Sequence, residues 1–286
     1  MRRFPLIKVR GASAALAAAA FLAIIAAAAQ AQPPAPSKTE PSAAALLLEG
    51  IESGRGTLSS YRGTATLRAY GDVEGSFNAA FARELPDRGR LEMSTPLTGT
   101  ALVVTAAGGE LLAFYPLDEI AVVGFDDARG IPALAAGAGG GLSDSLDLLT
   151  GRPALYAEEV AAADLEIKAV EDSDTLTLTW LEAGGSRLQQ LTLAGNPRRP
   201  VAFRIFENDA AAVDVTYGDW RDRGDVAAPF AVTVKTSDAI VEISVKNFEA
   251  NVDIPEEAFS TTPPEGVEIL EGWPVPHSYD VEDEGN

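Results

Sequence analysis

The residues able to do chemistry are few in kind. The 286-residue chain has one histidine, His277, set close to the end between prolines and a tyrosine, and it has no cysteine. A histidine-based triad or metal centre therefore lacks its material, and thiolate nucleophiles, thiolate metal sites and disulfides are excluded together. No Gly-x-Ser-x-Gly elbow is present, and the run Gly137 to Gly141 matches neither a phosphate loop nor a complete Gly-x-Gly-x-x-Gly, so it reads as a hinge. Carboxylates are abundant, which leaves paired-acid chemistry such as glycoside hydrolysis open by composition alone. Yet Asp126-Asp127, Glu171-Asp172 with Asp174, and Asp222 with Asp225 all stand at expected turns, where aspartate is favoured for its own hydrogen bonding, and none has the spacing of a calcium loop. The missing residue types and the placement of the acids at turns point away from an enzyme and imply no cofactor.

The elements that would position any site are mostly strands. From Tyr61 onward, alternation of apolar and polar residues predicts strands over 64–70, 76–83, 90–94, 100–106, 110–115 and 119–124, bounded by Gly, Pro or Asp. A second set is expected over 165–170, 175–181, 187–194, 201–207, 212–220, 230–236 and 241–248. Short connections make an antiparallel meander the economical topology. Between the sets, residues 143–149 have helical spacing with Ser143 as the expected cap and Gly151 as the stop. An earlier helix is expected from Ser42 to Leu58, with Leu47 and Ile51 on one face. The strands carry an excess of apolar positions, among them Leu91, Met93, Leu102, Val104, Leu112, Phe114, Trp180, Leu191, Phe203 and Ile205. These form either a packed core or the lining of an open cavity.

The ends of the chain concern its destination. Arg2, Arg3, Lys8 and Arg10 precede an apolar run from Ala14 to Ala29 that closes on Ala29-Gln30-Ala31, the pattern of a cleavable secretory signal over residues 1–31. Residues 32–41 are rich in proline and small polar residues and read as a linker, and residues 271–286 as an acidic, disordered tail. No second apolar run reaches the ~20 residues of a membrane span, so a cleaved product is expected to be soluble, in a periplasm if the source is bacterial, and not integral to the membrane. The net charge of −20, made more negative by cleavage of a basic leader, argues against nucleic acid as a partner.

The order of these elements resembles the periplasmic lipoprotein-carrier superfamily, the LolA/LolB-like proteins of outer-membrane lipoprotein sorting. The likeness is carried by Gly89-Arg90-Leu91-Glu92-Met93-Ser94-Thr95-Pro96-Leu97-Thr98-Gly99, similar to the family's arginine-bearing strand that closes on Pro-Leu-Gly. Leu146-Asp147-Leu148-Leu149-Thr150-Gly151 looks like the family's inserted helix, and Asn247-Phe248 with Phe259-Ser260-Thr261-Thr262-Pro263-Pro264 looks like its closing strand and final motif. Thr98 departs from the glycine of Pro-Leu-Gly relatives, and the lipidated cysteine of membrane-anchored relatives is missing. Over residues 42–270 the resemblance implies a mainly β fold: a strongly curved antiparallel sheet forming an incomplete barrel, with a helical lid over a hydrophobic cavity. It also implies a non-catalytic carrier of lipid or lipoprotein acyl chains that meets transport partners at the inner or outer membrane. The ten apolar strand residues would line the cavity, with Leu47, Ile51, Leu146 and Leu149 in the lid and Arg90 as the donor that closes it. The alternative is a non-catalytic protein-interaction or envelope-stress sensing module built on the same sheet.

Overall fold

The computed structural model describes residues 58–71, 74–126, 141–153, 164–169, 174–181, 185–237 and 239–271. The expected signal, the linker, the helix from Ser42 apart from Leu58, most of the glycine run, and the tail beyond Glu271 lie outside the described residues.

Among the described residues fourteen strands form one sheet. β1 (Ser60–Gly71), β2 (Gly75–Glu84), β3 (Arg88–Thr95), β4 (Gly99–Ala107), β5 (Glu110–Tyr115) and β6 (Ile120–Phe125) make a first antiparallel meander. β7 (Asp164–Ala169), β8 (Leu176–Leu181), β9 (Arg187–Ala194), β10 (Arg199–Glu207), β11 (Ala210–Arg223), β12 (Val226–Lys235) and β13 (Ala239–Ala250) make a second. The two are joined where the first strand of one meets the last of the other, β1 running antiparallel to β13. β14 (Glu268–Glu271) pairs in parallel with β6 at one end of the sheet, and β7 is the other end, so the sheet is not closed. Among the described residues there is one α-helix, α1 (Leu142–Leu149).

Period-two patterning fixes which face is apolar, because successive side chains point to opposite sides of the sheet. Inward positions align in cross-strand rows. One runs Ile167, Leu178, Leu191, Phe203, Val215, Val234, Val241 and Ala69, taking in every strand from β7 through β13 and ending on β1. A second runs Val245, Ala65, Ala79, Met93 and Leu102. Residues of both meanders belong to a single apolar cluster with the four leucines of α1. The helix packs on β2, β3 and β4, while Gly151, just past its end, lies against Trp220 of β11, four strands from β2 in sheet order; the sheet bends around the helix. Gly151 has φ +73, and a Cβ there would lie 2.5 Å from the tryptophan ring, so both conformation and space demand glycine.

The opposite face is covered in part by the chain after β13. Asn251 and Val252 are tied to Ser59 and Ser60, a 3-10 turn at Glu256–Phe259 packs on β3 and β4, and the Thr261 hydroxyl donates to Glu110 at 3.0 Å before the chain reaches β6 as β14. This strap crosses the first meander from the middle of the sheet to its edge.

Candidate functional site

The apolar inner face gathers residues of both meanders and of α1 into one cluster. Leu91, Met93, Leu102, Val104, Trp180, Leu191, Phe203 and Ile205 all lie on it, each buried and within the one cluster. Leu112 and Phe114 do not. Val104, which faces inward, pairs with Ala113, so Leu112 opposite Thr105 and Phe114 opposite Val103 point to the other face. Leu111, Leu112 and Ala113 are all buried because β5 is covered on both sides, and a strand of that kind reads as a continuous apolar run in which the inward register is hidden.

Leu146 and Leu149 are on α1, buried against the inner face. Leu47 and Ile51 lie outside the described residues. Arg90 is on the face opposite α1. It pairs with Ala82 and Thr105, donates to the Ala258 carbonyl at 3.3 Å and meets Glu92 at 3.3 Å, so it fastens the strap and not the helix. The arginine that reaches α1 is Arg83, an inward position two residues beyond Phe81, buried to 2% exposure.

Arg83 is held by all five of its guanidinium donors. Its guanidinium donates to the carbonyls of Glu84, Pro86 and Arg88 at 3.0, 2.6 and 3.0 Å and forks onto both carboxylate oxygens of Asp147 at 3.4 and 3.2 Å. The Tyr61 hydroxyl donates to the same carboxylate at 3.2 Å, and its ring stacks on Phe248 and meets Phe81 edge-on. Gly63, opposite Phe81 and Phe248, leaves room for the Phe81 ring, since a Cβ would lie 2.5 Å from it. Burial drives the Tyr61 hydroxyl well above its usual pKa and also raises Asp147, where the neighbouring Arg83 charge opposes the shift without cancelling it.

The N-terminus of α1 is capped from outside the helix. Gly141 occupies the cap position with no side chain to offer, and the Asp126 carboxylate, from the end of β6, accepts the Leu142 amide at 2.6 Å and the Ser143 hydroxyl at 3.2 Å. The expected cap, Ser143, thus lies one residue inside the helix. Asp144 sits in the first turn, and burial, reinforced by the charges of Asp147 and Asp126, pushes its carboxyl up to about 6. Three carboxylates and Arg83 therefore gather round one short helix. Among the described residues no group of histidine, cysteine and carboxylate side chains could hold a metal ion, and no helix is long and apolar enough to cross a membrane. Asp222, expected at a turn, lies near the end of β11 and pairs with Arg199 at 2.7 Å.

The Arg83 tie was legible in principle. Phe77, Ala79, Phe81 and Arg83 continue one inward period, so a charge on the apolar face could be read from spacing alone.

No family model and no curated protein matches this chain. Solved structures do. A DUF1329 family protein from Desulfovibrio piger aligns with a TM-score of 0.55 at 12% identity, covering 78% of this chain and 98% of that one. A LolA superfamily protein from Nitrosomonas europaea aligns at 0.49 and 12% identity over 76% and 97%, and an outer membrane lipoprotein-sorting protein domain from Vibrio parahaemolyticus at 0.48 and 10% over 75% and 94%. At such identities a likeness speaks for fold alone, and the fold assignment rests on the first of the three. The chain has the fold of the Desulfovibrio protein.

Proposed function

We propose that this chain is an exported, non-catalytic carrier that holds the acyl chains of lipids or lipoproteins against the inner face of its sheet, with α1 as a removable closure. The observation that supports this most is the combination of an unclosed sheet with apolar rows running across it. A barrel closed by its own hydrogen bonds would fix its interior, whereas a sheet with two free ends can widen.

The energetics suit exchange. Lifting α1 exposes Leu142, Leu146, Leu148 and Leu149, at about 1.5–3 kcal/mol each or roughly 6–12 in all, and an acyl chain of about 8–15 methylenes at about 0.8 kcal/mol apiece replaces that burial. Tail and helix are therefore near-equivalent covers for the same face. In this reading the Arg83–Asp147–Tyr61 contact gives the closed form its geometry, and cargo passes between membrane-bound donors and acceptors through water.

The test is direct. The chain as secreted is purified without detergent, its organic extract is analysed by mass spectrometry, and a fluorescent fatty acid is titrated into the delipidated protein. Co-purifying lipid with saturable uptake, reduced when α1 is stapled to β3 by a disulfide between Gly89→Cys and Leu146→Cys and restored on reduction, is the expected outcome. An empty extract together with no uptake would sink the proposal and leave the interaction module as the better reading of the fold.

A further inference from the structure

The apolar row that begins on β1 ends at Ile167, and it ends in solvent. Ile167 pairs with Leu178, which is wholly buried, yet it is itself 45% exposed because β7 is an end of the sheet and, among the described residues, pairs only with β8. On the other face of the same strand stand Glu166 and Lys168, 46% and 67% exposed and joined at 2.9 Å. We propose that β7 is a docking edge for a second copy of this chain, paired antiparallel about a two-fold axis through Ile167.

The occupant follows from the strand's own sequence, Leu165-Glu166-Ile167-Lys168-Ala169. An antiparallel copy centred on Ile167 sets isoleucine against isoleucine on the inner face. On the outer face it sets Glu166 against the second copy's lysine and Lys168 against its glutamate, two opposite-charge pairs generated by one symmetry element. A parallel copy in register sets glutamate beside glutamate and lysine beside lysine. Charged residues usually guard an exposed edge against pairing. Here the guard is neutralised for one partner and one direction. The other end of the sheet lacks this property: β14 reads Glu268-Ile269-Leu270-Glu271 and carries no basic residue to set against the glutamates of a second copy. The two-fold arrangement continues the inner apolar row from one molecule into the next and leaves the strap and α1 untouched.

A six-residue strand makes a small contact, so the dimer is expected to dissociate with a constant on the order of tens of micromolar. Because the chain has no cysteine, a single introduced thiol reports the register without interference. Under mild oxidation Ile167→Cys is expected to give a covalent dimer, while Ile269→Cys, on the other edge and 54% exposed in the parent, stays monomeric. In sedimentation equilibrium the parent shows a monomer–dimer equilibrium. Glu166→Lys weakens it by at least about tenfold, and adding Lys168→Glu restores it to within about threefold. A parent that is monomeric up to about 1 mM, cross-linking at 167 no faster than at 269, or a single reversal without effect would each overturn the proposal. Species that grow beyond a dimer with concentration would also overturn it, since they indicate head-to-tail joining of unlike edges.

Discussion

Arg83 and Asp147 are a pair whose value lies in what each prevents. The arginine is almost wholly buried, and truncating it would leave the Asp147 carboxylate, a fifth exposed, without its counter-charge, a defect worth about 3 kcal/mol or more. Asp144, three residues before Asp147, forms no ion pair among the described residues, and the Arg83 charge is the weakest influence on it. Its carboxyl lies at about 6 in the folded chain against 3.8 for the free group, with burial as the first cause and the Asp147 and Asp126 charges next. Between those values the folded chain holds a proton that the unfolded chain has released. The contribution of this group to stability is therefore fully present below about pH 4 and is lost as pH rises through 6. Asp144→Asn should remove that loss. The whole shift corresponds to about 3 kcal/mol, and partial exposure together with the favourable place of an acid at a helix N-terminus reduces it to roughly 1–2. Urea unfolding at pH 7 is expected to show the variant more stable by that amount, with the difference closing near pH 4. An equal difference at both pH values would mean that its origin is not the ionisation of Asp144.

At the scale of elements, α1 is an eight-residue helix that cannot stand alone, since isolated helices of that length are marginal in water. It exists because four leucines face the sheet, Gly151 ends it against Trp220, and Asp126 caps it from β6. Asp126→Ala removes the acceptor of the Leu142 amide and the Ser143 hydroxyl, with an expected cost of about 1–2 kcal/mol. The loss should be local. Amide exchange within 142–149 is expected to accelerate while exchange in β1 and β13 follows only the fall in global stability; acceleration spread evenly through the sheet would show that the helix does not open by itself. Helix, stop and thirteen strands were readable from period and punctuation, because each is specified by its own residues. The cap was not, since its donor of charge is sixteen residues away in another element. Leu112 and Phe114 were misplaced for a related reason: β5 is covered on both faces, so its sequence no longer alternates. Arg90 belongs to a motif and Arg83 to a simple inward period, and it is the period that marks the arginine facing α1.

The whole molecule depends on pairings that no local pattern announces. β1 meets β13 across nearly two hundred residues, as Tyr61 opposite Ala250 and Leu67 opposite Ile243 show, and this one ladder makes a single sheet of two meanders. β14 is the strand that sequence reading missed, because a four-residue parallel edge has meaning only after the strap has crossed the sheet. What anchors that crossing is Phe259, 3% exposed in a turn that packs on β3 and β4, with Arg90 bonded to the neighbouring Ala258 carbonyl. Phe259→Ala should cost about 3–4 kcal/mol, the usual range for an aromatic truncated in a packed site. If the strap folds as part of the body, urea unfolding stays a single transition with a lower midpoint, and the amides of 268–271 exchange no faster than global stability requires. If it folds as an attachment, those amides lose protection at denaturant concentrations where β1 and β13 are still protected. We expect the second pattern, because the strap contributes one buried aromatic and one short parallel ladder to a sheet whose two meanders are already joined without it.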